Sequence, residues 1–390
     1  MKKIISLALL GATTSLMALG GEQAFLYKDP RVMGMGGANV AVGAYSTSVF
    51  SNPAGLVNIK KEHGYVVDLL SVGATVSAQA QEFADDLDKA GSDSAKIEDV
   101  INKYSGEVFN VEVNNYSSVS KNSDMFAWSV GILAATDVST VVHGNGSTSG
   151  APLEVSGRAY GGLILGGAKE YDTKVGKLDV GLGFKYIQQT SYEGPLYVSD
   201  LQGEDAMQAL QDKYEKTSSG FGVDLGLNYK PFENSMWHPA FGLSILNIGA
   251  MSMDDNFGGQ PTTVNIGASI APEVKFIDKL VLAIDYVDMF NANKIRIYKF
   301  DEGNGTQSYV DYTDDDMMKR LRLGAGIGLI DSQYFSAQVN VGLYQAAYTA
   351  GLDMEITVLK LNFATYQEQI GTGSVDIPDR RYMAQIGIGW

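Results

Sequence analysis

The last ten residues, Arg381 to Trp390, alternate strictly between two kinds of side chain. The even-numbered positions carry Tyr, Ala, Ile, Ile and Trp, whereas the odd-numbered positions carry Arg, Met, Gln, Gly and Gly. Because successive side chains of a strand point to opposite faces, the segment predicts a strand with one apolar and one polar face. Such a strand is typical of a membrane barrel, which has lipid on its outside and a wet lumen inside.

The first twenty residues have the pattern of a secretory signal peptide. Lys2 and Lys3 precede an uncharged, mostly apolar stretch from Ile4 to Leu19, and Ala18-Leu19-Gly20 is a small-x-small cleavage site. We therefore expect cleavage after Gly20. The apolar stretch is short for a helix that crosses a bilayer. An exported chain without a spanning helix can still enter a membrane as a closed barrel, because closure satisfies every strand edge.

Composition narrows the class of protein further. The 390 residues include 45 Gly, 21 Tyr and 9 Pro. In a membrane barrel, Gly suits crowded lumen positions and turns, and Tyr suits the aromatic belts at the membrane interfaces. Cysteine is absent, which excludes disulfides, thiol nucleophiles and thiolate metal sites. The net charge of −16 argues against general binding to nucleic acid, which requires a basic surface.

Alternation like that of the C-terminus recurs along most of the chain. Between Leu178 and Tyr186, for example, every even position is apolar and the odd positions are Asp, Gly, Gly and Lys. The pattern predicts an all-β, antiparallel transmembrane barrel of about fourteen strands, an even number as bacterial barrels have. The predicted strands are 63–77, 107–120, 124–137, 154–170, 175–191, 217–231, 239–250, 262–272, 278–289, 319–331, 333–344, 346–356, 357–369 and 380–390.

The predicted connections fall into two length classes. Those after even-numbered strands are short, and those after odd-numbered strands are long, with one exception near Gln345. Barrels of this kind have short periplasmic turns and long external loops, so the N-terminus is expected on the periplasmic side. Apolar residues recur at helical spacing in 95–104 and in 201–216. Each segment predicts either a helix resting on the barrel rim or an apolar landing site for a hydrophobic ligand.

The segment before the first strand, 21–62, does not alternate. It contains a glycine-rich stretch and the sequence Asn52-Pro53-Ala54. A phosphate-binding loop is rejected, because no strand precedes the stretch and its third glycine is misplaced. Proline fixes the backbone angle φ, and an Asn side chain can accept hydrogen bonds from nearby backbone amides. Glycine, which has no Cβ, lets its backbone lie close to another part of the protein. The residues of these two motifs are Gly34, Gly36, Gly37, Asn52, Pro53 and Ala54.

This arrangement resembles the FadL-type long-chain fatty acid transporters and their TraF-like and PorV-like relatives. The late sequence from Leu321 to Tyr366 looks most like the TraF-like and PorV-like branch. With the signal peptide predicted at 1–20, the resemblance implies an N-terminal hatch at 21–62 and an outer-membrane barrel at 63–390. The implied hatch or gating residues, which either anchor the plug or take part in a gate or ligand path, are Gly34, Gly36, Gly37, Asn52, Pro53 and Ala54. The chain end also resembles the C-terminal assembly signal of such barrels, with Trp in place of the more usual Phe. We expect outer-membrane lipid and the barrel-assembly machinery as partners, the signal being Tyr382, Ile386, Ile388 and Trp390.

Several charged residues are predicted to face the lumen. If the hairpin within 178–231 pairs residues whose numbers sum to about 409, Lys185 lies opposite Asp224. A sum near 749 in the last hairpin places Glu368 opposite Arg381. Alternation also turns Arg320 and Arg322 inward. These residues form either structural ion pairs, which fix the strand register, or a substrate site.

No catalytic, metal-binding or cofactor site is predicted. The three histidines are scattered, and neither a Gly-x-Ser-x-Gly elbow nor a His-Glu-x-x-His helix occurs. The acidic runs at 85–88 and 314–316 lack EF-hand spacing and are expected to be solvated loops.

Two functions therefore remain, and neither is enzymatic. The resemblance implies passage of small hydrophobic molecules, whereas the PorV-like branch suggests a barrel that docks protein partners in secretion, conjugation or surface assembly. A continuous apolar path from the loops to the hatch would favour the first function. A lumen filled by the hatch and by ion pairs would favour the second.

Overall fold

The computed structural model describes most of the chain after the predicted signal peptide. The described residues are 26–143, 152–201, 214–232, 234–249, 251, 253, 259–275, 277–301, 306–313, 315–332, 334–370 and 377–390. The signal peptide and its cleavage site therefore lie outside the described residues, as do positions 21–25 of the predicted hatch.

Fourteen antiparallel strands form one closed barrel, which confirms the predicted fold class and the strand count. The barrel closes because the first strand pairs with the last. Two further strands, β10 and β11, make a separate hairpin inside the predicted loop 290–318 and were not predicted. The sixteen strands are β1 Tyr65–Ser77, β2 Val108–Asn122, β3 Ala127–Val142, β4 Leu153–Asp172, β5 Lys177–Leu196, β6 Lys216–Lys230, β7 Ala240–Ile248, β8 Thr263–Ile270, β9 Lys279–Tyr286, β10 Lys294–Asp301, β11 Thr306–Thr313, β12 Leu321–Asp331, β13 Phe335–Tyr344, β14 Ala347–Ile356, β15 Leu359–Gln369 and β16 Pro378–Gly389.

The outer face of the barrel is apolar and exposed. Ile132 on β3 and Phe221 on β6 are each 64% exposed, whereas their inward neighbours Leu133 and Gly222 are covered. This is the pattern expected where lipid contacts one face of each strand. Among the described residues, no helix is long and apolar enough to cross a membrane.

The barrel wall differs in height around its circumference. β4 and β5 each have 20 residues, whereas β8 and β9 have 8. The turns at one end, hereafter the short-turn end, are brief, as between β2 and β3 or β14 and β15. The opposite end, hereafter the long-loop end, carries the longer connections. The predicted separation of short turns from long loops is therefore present.

Residues 26–63, hereafter the luminal segment, lie inside the barrel as far as Ile59 and then leave it at the short-turn end, where Lys60 to Glu62 are exposed. They form helix α1 (Pro30–Gly34) and three 3₁₀ turns, Ser46–Phe50, Pro53–Asn58 and Lys61–His63. Asp29 caps α1, since its Oδ1 accepts a hydrogen bond of 2.9 Å from Arg31 N. The segment touches β4, β5 and β6 on one side and β13, β14 and β15 on the other, so the wall encloses it.

Two helices of the first long loop pack on the outside of the wall. They are α2 (Ala80–Ala90) and α3 (Ser94–Lys103); the second was predicted at 95–104 and the first was not. The Phe83 ring stacks on that of Phe109, at a centroid distance of 4.4 Å, on the outward face of β2. The pair thus covers the tall part of the wall near the long-loop end. The helix predicted at 201–216 lies mostly outside the described residues, which show only α4 (Val198–Leu201) there.

Candidate functional site

The glycine-rich stretch of the luminal segment touches the wall backbone directly. A Cβ atom on Gly34 would lie 2.9 Å from the Gly351 Cα of β14. Gly36 has φ +66°, and a Cβ there would lie 2.2 Å from the Leu323 carbonyl oxygen of β12. Thr349 Oγ1 fixes the contact, because it donates to Gly34 O (2.7 Å) and accepts from Gly36 N (3.0 Å). Only glycine fits at these positions, where the backbone must approach the wall.

Gly37, the third glycine of the stretch, faces two side chains of the wall. A Cβ there would lie 3.1 Å from the Tyr344 ring and 3.3 Å from the Arg322 side chain, and its φ is +77°. The Arg322 guanidinium in turn lies over the Tyr344 ring, 4.0 Å from its centroid. The glycine therefore leaves room for a cation–π contact between β12 and β13.

The Asn52-Pro53-Ala54 sequence makes the equivalent contact on the opposite wall. A Cβ on Gly181 of β5 would lie 2.2 Å from Ala54 N, and one on Gly226 of β6 would lie 2.0 Å from Asn52 Oδ1. Asn52 Oδ1 caps the 3₁₀ turn by accepting from Ala54 N (3.1 Å), while its Nδ2 donates to Val40 O (2.7 Å). Asn52 thus fixes both its own turn and the preceding part of the segment.

A wall carboxylate that was not predicted holds the middle of the segment. The backbone amides of Asn39 and Val40 both donate to Asp285 Oδ2, at 2.6 and 2.7 Å. Asp285 is fully buried on β9, and it lies opposite Arg322 of β12 in the strand register. The available sequence signal was that Asp285 is the one charged residue in the apolar run 280–286. Its partners lie more than 240 residues away in the chain, so the sequence did not indicate them.

The predicted Lys185–Asp224 ion pair is present, but the predicted strand register is wrong. Lys185 lies opposite Gly222, and Asp224 lies opposite Gly183, so the pairing numbers sum to 407. A shift of two residues keeps every side chain on its predicted face. The long lysine side chain reaches diagonally, so that Nζ lies 2.9 Å from Asp224 Oδ2. Both side chains are buried.

The register predicted for the last hairpin is also wrong by two residues. Glu368 lies opposite Asp379, and Arg381 lies opposite Tyr366. Arg381 Nε pairs with Asp379 Oδ2 at 2.6 Å and reaches Glu368 Oε2 only at 3.7 Å, through Nη1. The nearer cation for Glu368 is Lys28 of the luminal segment, at 2.7 Å. The wall carboxylate therefore binds the segment as well as its own strand neighbours.

Arg320 and Arg322 occupy different positions from each other. Arg322 belongs to β12 and points inward, as predicted. Arg320 precedes the strand and follows the 3₁₀ turn Met317–Lys319; its Nη1 donates to Asp316 O at 3.0 Å. Strand alternation therefore does not apply to Arg320, although its side chain is buried.

Apolar side chains cover a continuous part of the lumen from the long-loop end to the luminal segment. The rings of Tyr27, Phe50 and Tyr116 have centroids 4.9 to 5.6 Å apart, and Tyr160 Oη donates to Leu26 O at 2.8 Å. The set, hereafter the apolar luminal cluster, comprises Leu26, Tyr27, Val49, Phe50, Leu56, Ile59, Tyr116, Ala127, Leu133, Ala135, Tyr160, Ile164, Ala168, Ile187, Met251 and Met253.

The residues of the proposed C-terminal assembly signal lie on the outer face of β16. Tyr382, Ile386, Ile388 and Trp390 are all exposed. Next to them, β1 carries an extra residue between Asp68 and Val72 relative to both of its neighbours. Leu70, within this bulge, has φ +50°. The seam that closes the barrel is therefore irregular.

The outer helix pair is joined by ion pairs around one lysine. Lys103 Nζ of α3 lies 2.9 Å from Glu82 Oε1 and 2.7 Å from Asp86 Oδ2 of α2. The hydrogen bond from Lys103 lowers the pKa of the Asp86 carboxyl, and bonds from Lys89 and Tyr104 add to the effect. The same lysine lowers the pKa of Glu82.

Within the part of the chain that the structure describes, no group of three or more His, Asp or Glu residues could hold a metal ion.

Comparison with known proteins identifies the fold. No protein-family model matches the sequence, and no curated protein matches it. The TodX ΔS2S3 mutant, a monoaromatic hydrocarbon channel, superposes with a TM-score of 0.56 at 11% identity, over 93% of this chain and 98% of that one. The chain has a FadL-like barrel fold.

Two other solved structures agree. The toluene transporter TbuX of Ralstonia pickettii gives a TM-score of 0.54 at 13% identity, over 93% of this chain and 97% of the other. A FadL homologue of Pseudomonas aeruginosa gives 0.51 at 10% identity, over 97% and 99%. These identities establish the fold alone. None of the three is described as TraF-like or PorV-like, so that branch stays a prediction.

Proposed function

We propose that this chain is an outer-membrane barrel that passes small hydrophobic molecules, with the luminal segment as its gate. The observation that carries the proposal is the continuity of the apolar luminal cluster. It joins Met251 and Met253, at the long-loop end, to Tyr27 and Phe50 in the segment. Each Å² of apolar solute surface that leaves water gains about 25 cal/mol, so such a surface attracts a hydrophobic solute. TodX and TbuX, which share the fold, are described as a hydrocarbon channel and a toluene transporter.

The exposed apolar outer face supports placement in the outer membrane, with lipid as its neighbour. In that placement the long loops face outward and the short turns face the periplasm. A molecule captured at the long-loop end would move along the inner faces of β3, β4 and β5. Because the luminal segment closes the end of this route, passage requires the segment to move or the molecule to leave through the wall. Two irregular places in the wall lie beside the cluster: the bulge of β1, next to Tyr116 on β2, and the register shift of β6 between Val223 and Leu225, next to Met251.

One observation favours the alternative, a barrel that docks protein partners. Ion pairs line the other side of the lumen, and one of them, between Lys28 and Glu368, ties the luminal segment to the wall. A permanently closed barrel would serve as a rigid membrane platform for a partner. The two functions differ in whether hydrophobic molecules enter the lumen.

The two functions can be distinguished by native mass spectrometry of the barrel, purified in mild detergent and incubated with toluene or decanoate. We expect the wild-type barrel to retain the probe, and Leu133→Ser to weaken retention about tenfold, which corresponds to about 1.4 kcal/mol of lost apolar contact. Ile132→Ser is the matched control, because this neighbouring side chain faces outward, and it should retain the probe. Equal retention by the Leu133→Ser and wild-type barrels would contradict the proposed route. An empty wild-type barrel that carries another protein would support docking.

A further inference from the structure

Two lysines lie on the outer face of the wall near its short-turn end. Lys121, close to the end of β2, is opposite Trp128 of β3, and Trp128 is opposite Gly167 of β4. Lys169 is two residues further along β4 and therefore faces the same way as Gly167. All four positions share the outward face with Ile132, which is 64% exposed. The lysines therefore lie at the edge of the apolar surface that contacts lipid.

Each of these lysines contacts an aromatic ring. Lys121 Nζ lies 4.2 Å from the centroid of the Tyr65 ring, and Lys169 Nζ lies 5.4 Å from that of Tyr171. The Tyr65 ring in turn makes an edge contact with Trp128, at a centroid distance of 6.2 Å. Tyr and Trp are enriched at the level where a membrane meets water. This belt therefore places both ammonium groups at the level of the lipid headgroups.

The positive charges of the two lysines are not neutralised by the protein. Within the described part of the chain, neither ammonium group has a carboxylate partner. Other lysines at the same end are paired: Lys61 Nζ lies 3.2 Å from Asp124 Oδ1, and Lys230 Nζ lies 2.6 Å from Asp179 Oδ2. Two neighbouring unneutralised cations also contrast with the net charge of −16 of the whole chain. At the headgroup level, an anionic lipid is the group that complements them.

The surface between the two lysines is open. A Cβ on Gly167 would have only a backbone carbonyl oxygen of β3 within 4 Å, at 3.9 Å. Strands lie about 4.8 Å apart and rise about 3.4 Å per residue, so the Cα atoms of Lys121 and Lys169 are about 12 Å apart. Because the four-carbon stem of lysine is flexible, both ammonium groups can contact one phosphate placed over Gly167. Toward the middle of the wall, Leu163 and Ile132 are opposite each other and exposed, so they offer apolar surface to acyl chains.

We propose that this outer surface binds one anionic phospholipid, such as phosphatidylglycerol, from the periplasmic leaflet of the membrane. The phosphate lies over Gly167 between the two ammonium groups, beside the Trp128 indole, and the acyl chains follow the apolar face of β3 and β4. The site rests on the membrane placement proposed above, but it lies outside the barrel and does not depend on passage of hydrophobic molecules. A barrel that failed to retain toluene would therefore still be expected to bind this lipid.

Native mass spectrometry of the whole barrel tests the site, with phosphatidylglycerol and phosphatidylethanolamine of identical acyl chains added in equal amounts. We expect the wild type to retain phosphatidylglycerol preferentially. Lys121→Gln and Lys169→Gln should each lower this preference about fivefold, the effect of about 1 kcal/mol per lysine near anionic lipid. Lys275→Gln is the matched control, since this exposed lysine lies in the turn between β8 and β9. Equal retention of the two lipids by the wild type, or an equal loss in Lys275→Gln, would overturn the proposal.

Gly167→Leu tests the shape of the site without changing its charge. The new side chain would fill the open surface between the lysines, and the position faces lipid, so we expect a folded barrel that has lost its preference for phosphatidylglycerol. A folded variant that kept the preference would contradict the proposed position of the phosphate. Excess inorganic phosphate should not displace the lipid, because the acyl chains also bind. Displacement would show a general anion site in place of a lipid site.

Discussion

The luminal segment contacts the barrel wall in two different ways. Against β12–β14 and β5–β6, wall glycines let backbone meet backbone, as where Gly34 touches Gly351. Against β1 and β15, polar and charged side chains bridge the gap instead: Lys28 Nζ lies 2.7 Å from Glu368 Oε2, and Ser46 Oγ donates to Asp68 Oδ2 at 2.6 Å. The glycine contacts depend on the absence of a side chain, whereas the polar contacts depend on pairs of groups that other neighbours can partly replace, as Arg381 and Tyr344 do for Glu368. The difference indicates that the glycine contacts hold the segment more rigidly than the polar contacts do.

Disrupting a glycine contact should lower the free energy of unfolding more than disrupting an ion pair. In Gly36→Ala the new Cβ would overlap the Leu323 carbonyl, at 2.2 Å, and the residue would also keep its positive φ. We expect the free energy of unfolding to fall by about 3 kcal/mol or more. Denaturant titration in detergent micelles measures this change.

Gly64→Ala is the matched control for that variant. Gly64 has φ +67°, almost the value at Gly36, but nothing lies within 4 Å of the position of its Cβ. It should therefore show only the backbone strain of its conformation, with φ +67° and ψ −113°, which is about 2 kcal/mol. If both variants lost the same free energy of unfolding, the close contact of Gly36 with the wall would contribute nothing to stability.

The ion-paired contacts should be less costly to break. Lys28→Met removes the cation 2.7 Å from Glu368, but Arg381 Nη1 remains at 3.7 Å and Tyr344 Oη still donates to the carboxylate at 3.3 Å. We expect a loss of about 1–2 kcal/mol, below the 3–5 typical of a buried pair left without a partner. Lys28→Arg, which keeps the charge, should be close to wild type. If Lys28→Met lost more free energy of unfolding than Gly36→Ala, the ion-paired contacts would be the stronger of the two kinds.

The smallest expected effect on stability concerns the helices α2 and α3, which pack outside the barrel wall. Because Lys103 lowers the pKa values of Asp86 and Glu82, both carboxylates stabilise the folded pair above their unfolded pKa of about 4. This stabilisation is lost as the pH falls through the lower folded values. Hydrogen exchange of 80–103, corrected for its intrinsic rate, should be constant between pH 7 and 5 and faster near pH 3. Lys103→Met should reduce the difference and leave a smaller response from Lys89, whose Nζ lies 2.9 Å from Asp86 Oδ1. An unchanged pH response in that variant would exclude Lys103 as its main cause.

The barrel strands were predictable because their signal is local. Alternation within one strand reports which face is covered, and all fourteen predicted barrel strands appear near their predicted bounds. The β10–β11 hairpin was not predicted, because the alternation changes phase within it, from Ile295 and Ile297 to Tyr298 and Phe300. α2 was not predicted either; only the Ile97–Tyr104 stretch was interpreted as helical.

Contacts between distant parts of the chain were harder to predict. The alternation placed Lys185 and Arg381 on the correct faces, but it does not specify how strands slide along one another, so both registers were wrong by two residues. Thr349 and Asp285 bind backbone amides of the luminal segment, and a backbone amide leaves no signature in the sequence. The excess of glycine was correctly interpreted as crowding of the lumen, although the sequence did not show which glycines meet.

Closure of the barrel by β1 and β16 determines when the luminal segment can be enclosed. A chain made from its N-terminus presents the segment and β1 first, and β1 must leave one edge unpaired until Pro378–Gly389 has been synthesised. An unpaired edge favours aggregation, so the nascent chain needs protection during this interval. Because the segment is continuous with β1 and touches opposite walls, its packing and the closing of the seam are expected to finish together. The irregular seam is thus also the last junction in the order of assembly.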